Sequence, residues 1–191
     1  MSVQAVLLAA GAGTRFGGDK LLAPLRSAPA LGVAALRNLK AAGLPVVAVV
    51  RPEDVRLATM LQAESARVVV CENAKLGMAH SLACAIRASS DASGWLVALA
   101  DMPRVRPATI AAIAAGLRDG SAIVIPVHGG ERGNPVAIGA AYRDELLELT
   151  GDVGARALFQ RHAARLVRLE VDDPGVLADV DTRDDLTEFA D

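Results

Sequence analysis

The sequence is poor in the residue types that mark membrane, nucleic-acid-binding and disulfide-rich proteins. Aromatic residues make up 3% of its 191 residues, and it has two cysteines, three histidines and a formal net charge of −2. Its longer apolar stretches, Ala5 to Gly13 and Ala28 to Leu36, fall well below the roughly 20 residues that a membrane-spanning helix needs. Long basic runs are also missing, which argues against nucleic acid or a membrane surface as a partner. We therefore expect a small partner.

The two cysteines and the N-terminus exclude further classes of protein. Cys71 ends a predicted strand and Cys84 lies in a predicted helix, at a spacing that suits no metal site and suggests no disulfide framework. We predict that both are packing residues. The N-terminus has no positive residue before its short apolar run, so a secretory signal is not expected. The predicted location is cytoplasmic.

Short apolar segments alternate with helical patterns along the chain. Hydrophobic residues make up 52% of it, enough for one substantial core. Most predicted strands are apolar on both faces, which is typical of parallel sheets covered by helices. The predicted strands are Gln4 to Ala10, Val46 to Val50, Arg67 to Cys71, Trp95 to Ala100, Ala122 to Val127 and Asn134 to Ile138, and the predicted helices are Ala30 to Ala42, Glu53 to Ala63, Gly77 to Ser89, Pro107 to Arg118, Tyr142 to Leu149 and Gly154 to His162. We predict an α/β fold and, since no linker or repeat is visible, a single domain over residues 1–191.

The first strand runs into a glycine-rich loop, LLAAGAGTRFGGDK. A loop of this kind, at the carboxyl end of a strand in an open parallel sheet, directs backbone N–H groups at a phosphate. Its glycines miss the dinucleotide spacing G-x-G-x-x-G by one residue, and Gly17, Gly18 and Pro24 would interrupt the helix that such a motif starts. The next strand ends at Arg51, where a carboxylate would hold a ribose. No G-K-[ST] follows, which excludes a P-loop.

The same loop carries two cations, Arg15 and Lys20. A long loop with two cations suits a triphosphate lying along it, because guanidinium and ammonium groups meet phosphate charge. The alternative is an ordinary strand–helix turn with solvated cations. The loop alone does not separate these interpretations.

A carboxylate follows the apolar strand Trp95 to Ala100. Asp101 stands at the carboxyl end of this strand, on the same sheet edge as the loop. Because Mg²⁺ is bound through one or two carboxylates plus substrate phosphates, one well-placed Asp is enough to begin a metal site. The alternative is that Asp101 only caps the turn before Pro103.

A second acidic group lies near the C-terminus, where Asp179 and Asp181 flank Val180. In an extended segment the two carboxylates point the same way. Thr182 and Asp185 form a helix-cap pattern. We expect one of the pair, Asp179 rather than Asp181, to complete the metal site.

Six motifs follow one another along the chain: LAAGAGTRFGGDK, GMAHSL, LADMP, GGERGNPV, GDVGAR and DVDTRDDL. Together these segments resemble the MobA-like NTP transferases and, within them, the molybdenum cofactor cytidylyltransferases. The resemblance implies a three-layer α/β/α nucleotidyltransferase (Rossmann-like) fold with a mostly parallel sheet, and Mg²⁺ as cofactor.

The resemblance also implies roles for individual residues. Those expected to bind the nucleotide are Leu8, Ala9, Ala10, Gly11, Gly13, Arg15, Lys20, Gly77, Met78, Ser81 and Asp101. Arg15 and Lys20 match the triphosphate contacts, and Asp101 matches the Mg²⁺ ligand, so these three are the expected catalytic residues. The run L-A-A-G, in place of the L-A-G-G that guanylyl-transferring relatives tend to carry, favours CTP.

The implied reaction moves CMP from CTP to the terminal phosphate of molybdopterin or molybdenum cofactor. That phosphate is largely dianionic at neutral pH, so no general base is needed. This agrees with three histidines, His80, His128 and His162, that have no evident acid or nucleophile partner. Acceptor binding is expected from Arg132, Asn134 and Arg156. A recipient molybdoenzyme is a further implied partner. The alternatives are the use of GTP, another phosphorylated acceptor, or a non-catalytic cofactor chaperone.

Overall fold

The apolar segments form one mixed sheet in the computed structural model of the chain, which describes residues 2–11, 13, 16–117, 120, 122–151 and 155–188. The strands are β1 (Val3–Leu8), β2 (Val46–Val50), β3 (Arg67–Val70), β4 (Gly94–Leu99), β5 (Ile123–His128), β6 (Glu131–Arg132), β7 (Val136–Gly139) and β8 (Leu166–Glu170). The helices are α1 (Leu31–Ala41), α2 (Val55–Ala63), α3 (Met78–Ala88), α4 (Pro107–Ala115), α5 (Arg143–Glu148), α6 (Arg156–Arg161) and α7 (Arg183–Glu188).

The strands lie in the order β3-β2-β1-β4-β7-β5-β6, and β8 pairs with β5. Parallel pairing joins β3, β2, β1 and β4, whereas β7 runs antiparallel to both β4 and β5. The chain therefore builds outward from β1 in one direction through β2 and β3, and then crosses to β4 on the other side of β1. A reversal of strand order of this kind opens a crevice at the carboxyl ends of the strands.

Alternate residues of the central strands enter two separate cores. In β1, Ala5 and Leu7 belong to one core, and Val6 and Leu8 belong to the other. The first core contains apolar residues of α1, α2 and α4, and the second contains those of α3, α5 and α6. Helices thus cover both faces of the sheet. Burying each large aliphatic side chain contributes about 2 kcal/mol, which holds the central strands in place beneath the loops that follow them.

The predicted α/β fold with a mostly parallel sheet is confirmed, and the predicted strands match β1 to β5 and β7 with shifts of one or two residues at most of their ends. The sequence analysis did not predict β8. Its side chains are half-buried or exposed, so the segment lacks the continuous apolar pattern of the central strands.

The two cysteines do more than pack. Cys71 and Cys84 are joined as a disulfide, with their Cα atoms 6.1 Å apart. The bond connects the residue after β3 to the middle of α3. The expectation that both are only packing residues is therefore wrong. Spacing along the chain did not reveal the pair, because it forms only when α3 folds back over the end of β3.

No helix in the described part of the chain has the length and apolar character needed to cross a membrane.

Candidate active site

A cleft of about 380 Å³ opens at the carboxyl ends of β1, β2 and β4. This is the crevice expected where the strand order reverses on either side of β1. Its wall combines the end of β1, the end of β2, the segment that leads into α3 and the end of β4. The lining residues are Leu8, Ala10, Gly11, Arg51, Ala74, Lys75, Gly77, Met78, Ser81, Leu99 and Asp101.

The glycine-rich loop forms one side of this cleft. Leu8, Ala10 and Gly11 line it as predicted. Ala9 does not, because its side chain is buried and its N–H donates to the Val49 carbonyl at 2.9 Å. A Cβ at Gly11 would meet no atom within 4 Å, so it would project into open space at the cleft.

Gly13 turns the loop rather than lining the cleft. Its φ is +57°, and its carbonyl accepts the N–H of Phe16 at 3.1 Å. Gly17 and Gly18 also adopt positive φ values, +88° and +100°, which side-chain-bearing residues rarely adopt. The predicted triphosphate contact Arg15 lies outside the described residues.

The segment that leads into α3 supplies the opposite wall. A short 3₁₀ turn spans Ala74–Leu76, and Gly77, with φ +121°, directs the chain into α3. The predicted residues Gly77, Met78 and Ser81 all line the cleft. The same segment also contributes Lys75, which the sequence analysis did not single out.

Lys20 lies between two carboxylates. Its Nζ donates to Asp101 Oδ2 at 2.7 Å and to Asp181 Oδ1 at 3.3 Å, and its side chain is only 11% exposed. Two predicted site residues, Lys20 and Asp101, are therefore in direct contact across 81 positions of sequence. A partly buried, charge-assisted pair of this kind fixes both groups in orientation.

The structure brings Asp181, not Asp179, to this pair. The carbonyl of Asp101 accepts the N–H of Val180 at 3.0 Å, which ties the C-terminal segment to the end of β4. Asp179 is exposed, and within the described part of the chain it makes no ion pair. We expected Asp179 to complete the metal site, whereas the structure places Asp181 against Lys20, the partner of Asp101. The alternation of side chains correctly placed Val180 on the opposite, buried side.

The predicted helix cap after Asp181 forms. Asp185 Oδ2 accepts the N–H groups of Thr182 and Asp181, both at 2.7 Å, and Thr182 Oγ1 accepts the N–H of Asp185. These hydrogen bonds hold the pKa of the Asp185 carboxyl below its ordinary value, and the bond from the Thr182 N–H has the largest effect. Asp185 therefore stays ionised and fixes the backbone that carries Asp181.

Asp101 fits a cation. Its second oxygen, Oδ1, is buried and has no hydrogen-bond partner within the described part of the chain. An unpaired buried carboxylate oxygen is costly unless a cation or a donor satisfies it. Hard divalent cations prefer carboxylate oxygens and complete their shell with phosphates and water. Asp101 and Asp181 are thus the residues that would hold such an ion.

Arg51 lies on the β2 side of the cleft wall, where an ion pair fixes its guanidinium. Its Nε donates to Asp54 Oδ2 and its Nη2 donates to Asp54 Oδ1, both at 2.8 Å. The Asp54 carboxylate raises the pKa of this guanidinium above its ordinary value. From the sequence, Arg51 was notable only because it stands where a dinucleotide-binding fold would have a carboxylate. Asp54, three positions on, was the available signal for a fixed arginine.

The predicted acceptor residues Arg132 and Asn134 contact other parts of the chain. Arg132 is in β6, exposed, with its Cζ 4.9 Å from the centre of the Phe159 ring. Asn134 is half-buried, and its N–H donates to the Val176 carbonyl at 2.9 Å. Arg156 begins α6, and its side chain is outside the described part. Neither Arg132 nor Asn134 lines the 380 Å³ cleft as described.

One histidine has an acid partner, contrary to expectation. His162 Nε2 lies 2.8 Å from Glu145 Oε1. His128 instead contacts the carbonyl of Val171, and His80 is half-buried on α3. In the structure as described, these histidines lie outside the cleft wall.

Comparison with known proteins gives a family match and a relative of similar length. Residues 5–166 match the MobA-like NTP transferase domain. The chain is 30% identical over 188 residues to nicotine blue oxidoreductase of Paenarthrobacter nicotinovorans, covering 94% of this chain and 92% of the relative.

Solved structures of similar proteins agree with the fold. A nucleotidyl transferase from Methanothermobacter has a TM-score of 0.84 at 25% identity and covers 98% of this chain and 95% of its own. The Mycobacterium tuberculosis protein Rv0371c, solved in complex with manganese, has a TM-score of 0.79 at 26% identity and covers 99% and 98%. A divalent cation is therefore bound in a similar protein.

Proposed function

Since the chain belongs to the MobA-like NTP transferase family, we propose that it transfers CMP from CTP to the terminal phosphate of molybdopterin or molybdenum cofactor and releases pyrophosphate. Leu8, Ala10 and Gly11, which line the cleft, would receive the nucleotide. The choice of CTP rests on the L-A-A-G run that ends at Gly11, and the choice of acceptor rests on the resemblance of the later motifs.

One observation carries the proposal. The ammonium group of Lys20 lies 2.7 Å from Asp101 at the cleft, and the other oxygen of Asp101 is buried and unpaired in the described structure. A cation from the glycine-rich loop beside a carboxylate with a free coordination position supports a site for a triphosphate and a divalent ion.

In the proposed reaction, an oxygen of the acceptor phosphate attacks the α-phosphorus of CTP. A new phosphorus–oxygen bond forms, the bond between the α-phosphorus and the oxygen bridging to the β-phosphate breaks, and that oxygen leaves with pyrophosphate. The acceptor phosphate is mostly deprotonated at neutral pH, so no side chain has to remove a proton. Catalysis then depends on positioning and on charge.

The chain's own residues supply the charge. Lys20 would hold the oxygens that become pyrophosphate, and Arg15 is proposed to do the same from the loop. Asp101 and Asp181 would hold Mg²⁺, which when bound neutralises phosphate charge. Removing one such contact costs about 3 kcal/mol of transition-state stabilisation, or about a hundredfold in rate.

The acceptor side is assigned to Arg132, Asn134 and Arg156, with a molybdoenzyme as recipient of the product. Arg132 is exposed, and its guanidinium lies over the Phe159 ring. In the cell we propose that the protein works in the cytoplasm as one domain.

The test is turnover with defined substrates. The protein is incubated with Mg²⁺, one of the four NTPs and molybdenum cofactor, and pyrophosphate and the dinucleotide product are measured. We expect both products with CTP. Preference for GTP would overturn the donor, and turnover only with a different phosphorylated acceptor would overturn the acceptor. Tight cofactor binding without turnover would indicate a chaperone.

A second candidate comes from the Paenarthrobacter relative, whose name describes an oxidoreductase. The loop argues against a dinucleotide in this cleft, since its described residues form only 3₁₀ turns before α1 begins at Leu31. Oxidation of a reduced nicotinamide nucleotide in the presence of nicotine blue, with no pyrophosphate from any NTP, would favour this candidate over the transferase.

A further inference from the structure

The Arg51 guanidinium is fixed by Asp54 and faces the nucleotide cleft with one nitrogen to spare. Asp54 takes Nε and Nη2. Nη1 has Glu53 Oε1 as its nearest carboxylate oxygen in the described structure, at 3.9 Å, beyond hydrogen-bond distance. The side chain is 21% exposed and lines the cleft. A donor held in this way loses little conformational entropy when it binds.

Arg51 lines the cleft together with the segment 74–81, on the β2 side, away from the strand that Asp101 follows. Asp101 follows β4, whereas Arg51 follows β2, and β1 lies between these strands. Two strand spacings separate them, about 10 Å. Lys20 shares a smaller cavity with Arg51, but its ammonium group donates to Asp101 and Asp181. A nucleotide whose phosphates meet Lys20 would therefore extend its base toward β2 and the segment 74–81.

The surroundings of Arg51 suit a neutral acceptor better than a phosphate. Asp54 already occupies two of the three guanidinium nitrogens, so a phosphate cannot be held by the paired bonds that favour arginine. Asp54, Glu53 and Asp19 are all close enough to act on its charge. These carboxylates repel a triphosphate but not a carbonyl oxygen.

Resting on the proposed function, we infer that Arg51 is a specificity residue that donates from Nη1 to a carbonyl oxygen of the nucleobase. Cytosine, uracil and guanine present such an oxygen, and adenine does not. A site that offers a fixed donor penalises a ligand that leaves it unpaired. The chain therefore discriminates against ATP through Arg51.

The experiment measures dissociation constants of CTP, GTP, UTP and ATP with the full chain in Mg²⁺ by calorimetry. We expect Arg51→Met to weaken CTP, GTP and UTP about tenfold and to leave ATP within about twofold, because only the carbonyl contact is lost. Arg56→Met is the matched control, since Arg56 is exposed on the neighbouring α2. It should leave all four constants unchanged.

Two outcomes overturn the inference but leave the transferase proposal standing. In one, the affinity for all four nucleotides falls equally, which assigns Arg51 to the phosphates or to the β2–α2 turn. In the other, the affinity for none of them falls. If the Arg51→Met variant does not fold, the same measurement is made with Arg51→Lys. Lysine keeps a donor but cannot bind Asp54 and the base at the same time. This variant should lose selectivity for CTP over ATP. A wild-type chain that binds no nucleotide would overturn the proposed function and this inference together.

Discussion

At the scale of single residues, the activity should depend most on Asp101. We predict that Asp101→Asn lowers kcat/KM about a hundredfold, because the substitution removes the charge that faces both Lys20 and the expected metal. Asn keeps the shape of the side chain, so the thermal unfolding midpoint should move by only a few degrees. Pyrophosphate release and circular dichroism measure the two effects. A fully active variant would remove Asp101 from the site.

The two acidic residues near the C-terminus should behave differently. We predict that Asp181→Asn weakens the binding of Mn²⁺ alone about tenfold, because Asp181 shares Lys20 with Asp101. Substitution of groups next to a metal site typically lowers metal affinity by at least this factor. Asp179→Asn is the matched control and should bind Mn²⁺ like the wild type, since Asp179 is exposed. Titration followed by electron paramagnetic resonance measures both. The reverse order would restore Asp179 as the metal ligand.

A glycine of the loop gives a steric test. Gly11→Ala should leave stability nearly unchanged, since a Cβ there meets no atom within 4 Å and the residue does not need a positive φ. The added methyl group projects at the cleft wall, where a close approach of nucleotide to backbone is expected. We predict at least tenfold weaker CTP binding at an unchanged unfolding midpoint. Unchanged CTP binding would place the nucleotide elsewhere.

At the scale of secondary structure elements, the disulfide fixes the segment that forms one wall of the cleft. Cys71 and Cys84 bracket all of the wall residues from Ala74 to Ser81. A closed loop of this length stabilises a fold by about 3 kcal/mol in the chain-entropy description. We predict that reduction lowers the free energy of unfolding by about that amount, measured by urea titration with and without dithiothreitol.

The control for this prediction is Cys84→Ser. This variant should start at the lower stability and should not respond to the reductant. If the wild-type midpoint is also insensitive to reductant, the bond contributes nothing to stability, and the wall segment is held by core packing of its apolar residues alone.

The elements differ in how well the sequence predicts them. Strands β1, β2 and β4 are apolar on both faces because helices cover both sides, and that pattern is visible in the sequence. Strand β8 pairs only with β5, and most of its residues are exposed, so its pattern resembles that of a surface segment. The reversed direction of β7 is invisible in composition, because direction depends on which neighbours the strand finds.

The site divides along the same line. The glycine-rich loop and Asp101 are predictable because each follows a recognisable strand in a local motif. Arg51 and Asp181 are not, because their importance comes from neighbours distant in sequence: Asp181 meets Lys20 across 161 positions, and Arg51 shares a cleft wall with the segment 74–81. Only folding brings these groups together.

At the scale of the whole molecule, the site draws on nearly the entire chain. The loop after β1, the ends of β2 and β4, the start of α3 and the turn before α7 all converge on one sheet edge. The rigid parallel half of the sheet holds these segments at fixed spacing, since its strands are buried in two cores. Chemistry that relies on positioned charge needs such a frame.

The ion pairs of Lys20 make nucleotide binding an exchange of counter-ions. A triphosphate that attracts Lys20 must draw it from Asp101 and Asp181, and these carboxylates then need another cation. Nucleotide and divalent ion should therefore strengthen each other's binding reciprocally.

We predict that CTP binds about tenfold more tightly in Mg²⁺ than in EDTA, because a tenfold change in affinity matches the free energy of one charged hydrogen bond. The variant Asp101→Asn should reduce this difference. Equal affinity in both conditions would exclude the exchange. The ion pairs of Lys20 would thereby weaken the binding of anions that arrive without a divalent ion.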